Sequence, residues 1–394
     1  MLIFLEKLIK IFQNYYFYTK IKIIITMTKN TNRLISLDIF RGITVAFMII
    51  VNTPGSWNYV YAPLLHAKWH GCTPTDLVFP FFLFIVGIST FFSLKKYGGK
   101  INSDSTTRIL KRTVLIFALG LVLNIFPDFI TDYSTVRIMG VLQRIALAYG
   151  IGAIICLAVR RDFLWIIVSV LLLGYWALLA LGGGTDPYAL TTNFALKVDL
   201  AVLGANHLYQ GFGIPFDPEG LLSTIPSVAT VIIGYFIGGM ITSEKQQDGK
   251  VILKLLLFGV SSLLLGILWG FVFPINKALW TSPYVLYTAG LGMLVFGLIY
   301  YLVDVLKFQK WGTFFIIFGT NAIFAYTLAS AWAKTMQAVI VGGEKLTLYS
   351  WLYQKVFAPL AGNMNGSLLF AITQVLLVWV ITLILYRKKI FIKL

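Results

Sequence analysis

The sequence predicts an all-α fold: a polytopic membrane bundle of about ten core transmembrane helices with both termini in the cytoplasm. Of its 394 residues, 58% are hydrophobic and only 12% are charged, and the mean hydropathy is +0.84. A soluble domain carries roughly 25% charged residues, so this composition is typical of apolar helices buried in lipid. The net charge of +17 comes from short basic clusters between apolar runs, which indicates membrane topology and argues against nucleic-acid binding.

Ten apolar stretches give the predicted spans, and most reach the roughly 20 residues that a helix needs to cross the hydrocarbon layer. We place them at residues 36–56, 73–94, 106–126, 138–158, 162–182, 225–242, 251–273, 281–303, 312–334 and 367–386. The stretch 225–242 is the shortest, and we expect it to be tilted or supported by its neighbours.

Residues 1–32 are predicted to be an N-terminal extension, and residues 33–394 to form one transmembrane domain. The extension is either a basic interfacial helix or a leader that precedes a true start at Met27, since no signal-peptide cleavage site follows it. The two cysteines, Cys72 and Cys156, match no metal-binding or redox spacing, so no metal site is expected.

Orientation follows from the lysines and arginines, which concentrate in cytoplasmic loops of membrane proteins. With the N-terminus inside, all but eight of the 32 basic residues fall on the inner side. The eight outer ones are Lys68, Arg137, Arg144, Lys197, Lys277, Lys334, Lys345 and Lys355. The longest outer loop, about 183–224, is rich in Gly, Pro and Asp, and long ordered loops of this kind often carry function.

Polar residues concentrate on the predicted outer face, where they predict a functional site. Ionisable groups at membrane depth are costly and tend to be paired and functional. The outer set comprises His66, His70, Asp76, Arg137, Gln143, Arg144, His207, Asp217, Glu219, Asn276 and Lys277.

The segment HAKWHG and the Thr73-Pro74 step behind it give the sharpest local predictions. A helix is expected to begin at Thr73-Pro74, which places Asp76 in its first turn. There the carboxylate either only complements the helix dipole or also hydrogen-bonds an imidazole and fixes its tautomer. His66 and Trp69 are three residues apart, so one helical turn would place them on the same face. His70 is read as a loop residue or as a site residue.

Two further sites leave alternatives open. Asn52 ends the first span and is either a cap or a donor to a reacting carbonyl, as in an oxyanion hole. Arg137 and Arg144 are seven residues apart, about two helical turns, and would clamp an anion such as phosphate. The alternative is an ion pair with Asp217 or Glu219.

Seven segments occur in a fixed order between residues 33 and 334: RLISLDIFRGITVAFMIIVN, HAKWHGCTPTDLVFPFFLFIVGIS, RIMGVLQR, NHLYQ, DPEGLLSTIPS, NKALWTSPYV and GTNAIFAY. Together they resemble the heparan-alpha-glucosaminide N-acetyltransferase family, in the wider transmembrane acyltransferase group. The resemblance implies a catalytic histidine at His66, a partner asparagine at Asn52 and a motif carboxylate at Asp76. The chain departs from the family pattern at His70, where asparagine is usual. It also has a slightly longer loop before His66 and is expected to lack the large lumenal domain of the animal enzymes.

The resemblance implies a multi-pass acyltransferase of the cell inner (cytoplasmic) membrane that takes acetyl from cytosolic acetyl-CoA. The acceptor would be an amine or hydroxyl of a sugar or glycan outside, and the expected partners are the bilayer, acetyl-CoA and this glycan, with a homodimer as an option. His66 would act as general base or carry the acetyl group, Asp76 would orient it, and Asn52 would donate to the oxyanion.

The other candidate residues divide between the two sides of the membrane. Substrate contacts are expected from Trp69, His70, Arg137, Gln143, Arg144, His207, Asp217, Glu219, Asn276, Lys277 and Trp280. The cofactor site is expected to comprise the inner residues Asp38, Arg41, Arg108, Lys111 and Arg112, with the four basic ones contacting the CoA phosphates. Asp38 and Arg41 also have the spacing of an i,i+3 ion pair. The alternative function is an amino-sugar transporter, for example of N-acetylglucosamine, although the sequence lacks the paired broken helices typical of transporters.

Overall fold

The computed structural model describes residues 34–95, 97, 101–127, 133–243, 248–341 and 345–392. The predictions about residues 1–32 lie outside these described residues. Within them the chain is mainly helical, and the one β-ladder is the two-residue pair β1 (Ile340–Val341) and β2 (Leu346–Thr347). The predicted all-α membrane bundle is therefore confirmed.

Most helices follow one another with short connections, and the two longest connections are residues 53–77 before α2 and residues 204–223 before α7. They are α1 (Ile35–Asn52), α2 (Val78–Lys95), α3 (Ser103–Ile125), α4 (Val141–Ala158), α5 (Leu164–Gly182), α6 (Phe194–Leu203), α7 (Thr224–Ser243), α8 (Asp248–Trp269), α9 (Ser282–Tyr300), α10 (Thr313–Thr320), α11 (Ala322–Ala338), α12 (Leu348–Leu352), α13 (Ala358–Ala361) and α14 (Asn363–Arg387). A 3-10 turn, Pro74–Leu77, leads into α2 as the Thr-Pro step predicts.

Each predicted span overlaps one or two helices, but these helices differ in length and hydropathy. Among the described residues, eight helices are long and apolar enough to cross a bilayer, and one bent pair makes a ninth candidate. The remaining predicted span, 106–126, forms helix α3, which is not among these nine candidate spans. Its first half carries Arg108, Lys111 and Arg112.

The predicted span 312–334 corresponds to two helices, because α10 and α11 meet at a 72° bend. Asn321 lies at the bend with non-helical φ and ψ of −128° and 40°. Its buried amide donates to the carbonyl of Ile390 at 3.1 Å and accepts from the N–H of Ile392 at 2.9 Å. The segment after α14 therefore satisfies the buried side-chain amide of Asn321 at the bend.

Helix α7 is the most enclosed span, with 83% of its apolar window buried. It packs backbone to backbone against α2, because glycines occupy both sides of the contact. A Cβ built on Gly87 would lie 2.1 Å from the carbonyl oxygen of Val231, and one built on Gly234 would lie 2.2 Å from that of Phe84. This close approach fixes α2, and with it the preceding turn Pro74–Leu77 that carries Asp76, relative to α7.

We expect Gly87→Ala to lower the free energy of unfolding by about 1–3 kcal/mol, because the added methyl group overlaps a backbone carbonyl that cannot move aside. The matched control is Gly174→Ala on α5, where a Cβ meets nothing within 4 Å. There, alanine should be neutral or stabilise the helix by up to about 1 kcal/mol. Thermal unfolding of the two variants in detergent tests this, and equal unfolding temperatures would contradict the proposed close contact.

Candidate functional site

A cleft opens among α1, α2, α3, α4 and α11 and the loops at one end of the bundle, and together with the solvent space at its mouth it measures about 720 Å³. Its polar lining consists of Asn52, His66, Thr75, Glu219, Lys277 and Tyr326. The rest of the wall is apolar and includes Met48, Phe79, Phe82, Ile116, Ile145 and Ile323. The cleft therefore brings together four residues predicted from the sequence, Asn52, His66, Glu219 and Lys277, and adds Thr75 and Tyr326.

His66 and Asp76 form the central pair of this site. Nδ1 of His66 lies 2.6 Å from Oδ1 of Asp76, and a carboxylate that is otherwise only an acceptor requires Nδ1 to be the donor. The lone pair of the neutral imidazole is then on Nε2. The His66 side chain is 43% exposed, whereas that of Asp76 is 1% exposed. This arrangement leaves a basic nitrogen accessible above a fully enclosed carboxylate.

The second oxygen of Asp76 holds the local backbone in place. Oδ2 accepts from the N–H groups of Ala67 at 3.0 Å and Thr73 at 2.9 Å, and from the Thr73 hydroxyl at 3.0 Å. Thr73 and Asp76 also form a capping box at the start of the turn, as helix N-termini commonly do. Both interpretations of Asp76 therefore apply, since it caps a helix and orients the imidazole.

Lys277 lies directly over the His66 ring. Its Nζ is 3.3 Å from Nδ1 and 3.4 Å from Nε2. In the ring plane this position would bring Nζ too close to Cε1, so the near-equal distances place it above the ring face. Nζ is also 3.9 Å from Oδ1 of Asp76. Burial lowers the pKa of Lys277, while the charges of Glu219 and Asp76 act in the opposite direction.

The loop that carries Lys277 is fixed to the loop that carries His66. The N–H of Gly71 donates to the carbonyl of Ile275 at 2.7 Å. Asn276 is fully buried; its Oδ1 accepts from the N–H of Leu279, and its amide lies 3.3 Å from Nδ1 of His70. Asn276 and His70 therefore join the two loops instead of lining the cleft, and burial lowers the pKa of His70.

Asn52 ends α1 at the mouth of the cleft and is exposed there. The backbone at this helix end is capped by Thr53, whose N–H and hydroxyl both bond to the carbonyl of Ile49. Within the part of the chain that the structure describes, no hydrogen bond engages the Asn52 amide. This favours the donor interpretation of Asn52 over the cap.

Trp69 does not share a face with His66, because residues 66–69 form an irregular loop and not a helical turn. Its indole N–H donates to the carbonyl of Tyr188 at 2.9 Å, and its ring packs edge-on against Phe212 and Phe216. Trp69 thus anchors the long outer loop beside the cleft.

Arg137 forms the ion pairs that the sequence left as an alternative to an anion clamp. Its guanidinium donates to both oxygens of Asp217, at 2.8 and 2.7 Å, and to Oε2 of Glu219 at 2.6 Å. These carboxylates and burial together leave the pKa of Arg137 raised, with burial alone acting to lower it. Nδ1 of His207 bonds to the carbonyl of Val136 at 2.7 Å, which supports the same segment.

Arg144 cannot share a clamp with Arg137 in this arrangement. The segment before Val141 is extended, so the two arginines do not lie on one helix face. Arg144 is fully buried and donates to the carbonyls of Pro218, Gly220 and Ser223 and to the hydroxyls of Ser223 and Ser227. It fastens the loop before α7 to α4.

Three more of the predicted substrate contacts also lie away from the cleft. Trp280 is 1% exposed and packs under the Arg144 guanidinium at 5.4 Å. Gln143 is equally buried and packs against Gly120 of α3. Asp217 is buried behind Glu219. The fold buries all three side chains, so none of them is available for the ligand contact that the sequence predicted.

The predicted cofactor residues lie on two different helices. On α1, Arg41 pairs with Asp38 at 2.9 Å as the i,i+3 spacing predicts, and also donates to the carbonyl of Gly319 and the hydroxyl of Ser89. On α3, Arg108 donates to the Tyr97 hydroxyl at 3.2 Å. The Arg112 guanidinium lies over the Tyr149 ring, and Lys111 is exposed.

Tyr326 lines the cleft, but the sequence analysis did not predict it as a site residue. It lies in the segment GTNAIFAY, four residues after the first residue of α11, and that motif was the available signal. Thr75 was missed too, although it stands next to Asp76. Its hydroxyl donates to the carbonyl of Pro63 at 3.1 Å.

The chain is similar in sequence to known acetyltransferases. The family model "Heparan-alpha-glucosaminide N-acetyltransferase, catalytic" matches residues 33–271. The heparan-alpha-glucosaminide N-acetyltransferase of Mus musculus is 27% identical over 93% of this chain and 61% of that protein. The Homo sapiens protein of the same name is 29% identical over 91% of this chain and 59% of its own length. The chain thus spans about three fifths of these relatives.

The long outer loop contains a buried acid outside the cleft. Asp199 on α6 is 1% exposed, and its Oδ1 accepts from the N–H of Leu221 at 2.8 Å. Among the described residues its Oδ2 has no hydrogen-bond partner. Burial raises the pKa of Asp199 to about 7. Because the unfolded chain ionises this carboxyl at lower pH than the folded chain does, stability should fall as the pH rises from about 4 to about 7.

We expect Asp199→Asn to reduce this loss of stability, because asparagine carries no ionisable proton. The unfolding temperature of the unmodified protein should fall more between pH 5 and pH 8 than that of the variant. Thermal unfolding in detergent at both pH values measures the difference, which isolates Asp199 from other titrating groups. Parallel curves for the two proteins would contradict the raised pKa.

Proposed function

Because the chain belongs to the heparan-alpha-glucosaminide N-acetyltransferase family, we propose that it is a membrane acetyltransferase that uses acetyl-CoA to acetylate a glucosamine-like sugar. One observation carries the proposal: His66, with Nδ1 held by Asp76, shares a cleft with the unengaged amide of Asn52. A base and an oxyanion donor beside one cavity are what acyl transfer requires.

In the direct mechanism the acceptor nitrogen or oxygen attacks the thioester carbonyl while Nε2 of His66 takes its proton. The Asn52 amide and the Lys277 ammonium stabilise the oxyanion of the tetrahedral intermediate. Asp76 stabilises the imidazolium through Nδ1. The C–S bond then breaks, and the imidazolium returns the proton to the leaving thiolate, which gives CoA as its thiol.

In the two-step mechanism Nε2 of His66 attacks the thioester itself. The C–S bond breaks, CoA leaves as its thiolate, and an acetyl-imidazolium forms. The acceptor then attacks the acetyl carbonyl, the bond to Nε2 breaks, and the proton of the acceptor passes to the thiolate. The lone pair on Nε2 serves either mechanism. Acetylated His66 trapped after mixing with acetyl-CoA in the absence of acceptor separates the two.

We further propose that donor and acceptor enter from opposite sides of the membrane. The positive-inside distribution puts both termini in the cytoplasm and the His66 end outside the cell membrane. The apolar wall formed by Met48, Phe82 and Ile323 suits the acyl-pantetheine arm of a cytosolic donor, whereas the polar mouth suits a sugar. A transporter is the less favoured function, since the matching family is named for an acetyltransferase. Sugar uptake into proteoliposomes without any acyl donor would support the transporter instead.

We expect His66→Ala to lower transfer of labelled acetyl from acetyl-CoA to glucosamine by about a hundred- to ten-thousandfold, because the proton acceptor is lost. The matched control is Lys68→Ala, which removes an exposed side chain of the same loop and should retain transfer. Undiminished transfer by the His66 variant would refute the proposed role.

We expect the double change Arg108→Gln and Lys111→Gln to weaken binding of CoA about tenfold, through loss of charge-assisted contacts to its phosphates. These two residues are exposed on α3, whereas Arg41 is already engaged by Asp38 and Ser89. The control is Lys250→Gln, an exposed lysine on α8. Titration with CoA at low and high salt measures the effect, and equal affinities for both variants would rule out this phosphate site.

A further inference from the structure

Glu219 is the carboxylate that lines the cleft, and its position is rigidly fixed. It is 7% exposed. Arg137 donates to its Oε2 at 2.6 Å and is itself held by both oxygens of Asp217. The backbone N–H of Glu219 also donates to Oδ1 of Asp217 at 2.9 Å. In the described chain no hydrogen bond reaches Oε1 of Glu219, so half of an ionised carboxylate is unengaged at the cleft wall.

Glu219 and Lys277 give the cleft one negative and one positive group beside His66. All three side chains line the same cleft, and Lys277 Nζ is also 3.9 Å from Oδ1 of Asp76. The Glu219 carboxylate therefore shares the cleft with the reaction centre. A cation that enters the cleft is attracted to Glu219 and repelled by Lys277, so the two residues orient it.

We propose that Glu219 is a specificity-determining residue that binds the ammonium group of the acceptor through its unengaged oxygen. The inference rests on the proposed acetyl transfer and deepens it by assigning the recognition of an amine, in preference to a hydroxyl, to one side chain. Arg137 is a positioning residue, whose hydrogen bond to Oε2 prevents the Glu219 carboxylate from rotating. Asp217 in turn holds Arg137.

The proton balance is consistent with this role. An aliphatic amine is largely protonated at neutral pH, so it enters as an ammonium and binds the carboxylate with charge-assisted hydrogen bonds. The ammonium loses one proton to water at the mouth of the cleft. The neutral amine then attacks the thioester, and the second proton passes to Nε2 of His66 and on to the thiolate. A hydroxyl acceptor brings no charge to Glu219 and is bound less tightly.

The test measures acceptor binding by the purified full chain in detergent without acetyl-CoA. The two probes are glucosamine and glucose, which differ in the amine or hydroxyl at one carbon. We expect the unmodified protein to bind glucosamine about ten- to a hundredfold more tightly than glucose. Glu219→Gln should abolish this preference, since glutamine can still accept from Arg137 through its amide oxygen but presents an uncharged NH₂ group to the cleft.

The matched control is Asp199→Asn, which changes a carboxyl that is buried outside the cleft and accepts from the N–H of Leu221. It should keep the preference for glucosamine. A preference that survives Glu219→Gln, or that disappears equally in Asp199→Asn, overturns the inference.

Lys277→Met provides a second, independent measurement. Removal of the competing ammonium should tighten glucosamine binding and leave glucose binding unchanged. Unchanged or weaker glucosamine binding would show that Glu219 serves only to pair with Lys277, and would also overturn the inference. Because these measurements use no donor, they fail separately from the proposed function, which depends on transfer by His66.

Discussion

The candidate site depends on the burial of one carboxylate, Asp76. An ionised carboxylate in the protein interior costs several kcal/mol unless hydrogen bonds replace its lost water. Four donors do so here: Nδ1 of His66, the N–H groups of Ala67 and Thr73, and the Thr73 hydroxyl. The same contacts start a helix, fold the loop before it and fix the imidazole tautomer. The hydrogen bonds that stabilise the local fold therefore also orient His66 as a base.

A second set of buried charges fixes the wall of the cleft that carries Glu219. Arg137 joins Asp217 to Glu219, and Arg144 fastens the following loop to α4 and α7. Removing one member of such a buried network leaves an uncompensated charge, which is far more costly than the network is stabilising. The wall is consequently rigid, and the rigidity extends to the carboxylate of Glu219 that faces the cleft.

Local sequence signals predicted the helices and half of the site, whereas tertiary contacts decided the rest. The Thr73-Pro74 start and the apolar run behind it are local, so they placed Asp76 correctly. The contact of Lys277 with His66 joins residues 211 positions apart, and no local pattern encodes it. The bend at Asn321 depends on backbone groups of Ile390 and Ile392. Arg144 carried the expected charge, but its burial follows from how α4 and α7 pack.

The cleft changes character within about one helical turn, and this change limits the chemistry that it can support. On α1, Asn52 faces the mouth of the cleft and Met48 lies one turn deeper. In the turn before α2, the polar Thr75 lines the cleft, and the apolar Phe79 and Phe82 follow it on α2. A single polar ligand would leave the deep half unsatisfied, and a single apolar ligand would leave Glu219 and Lys277 facing hydrocarbon. Two ligands of opposite character, joined end to end at His66, satisfy both halves. The lining therefore favours a reaction between two substrates over the passage of one.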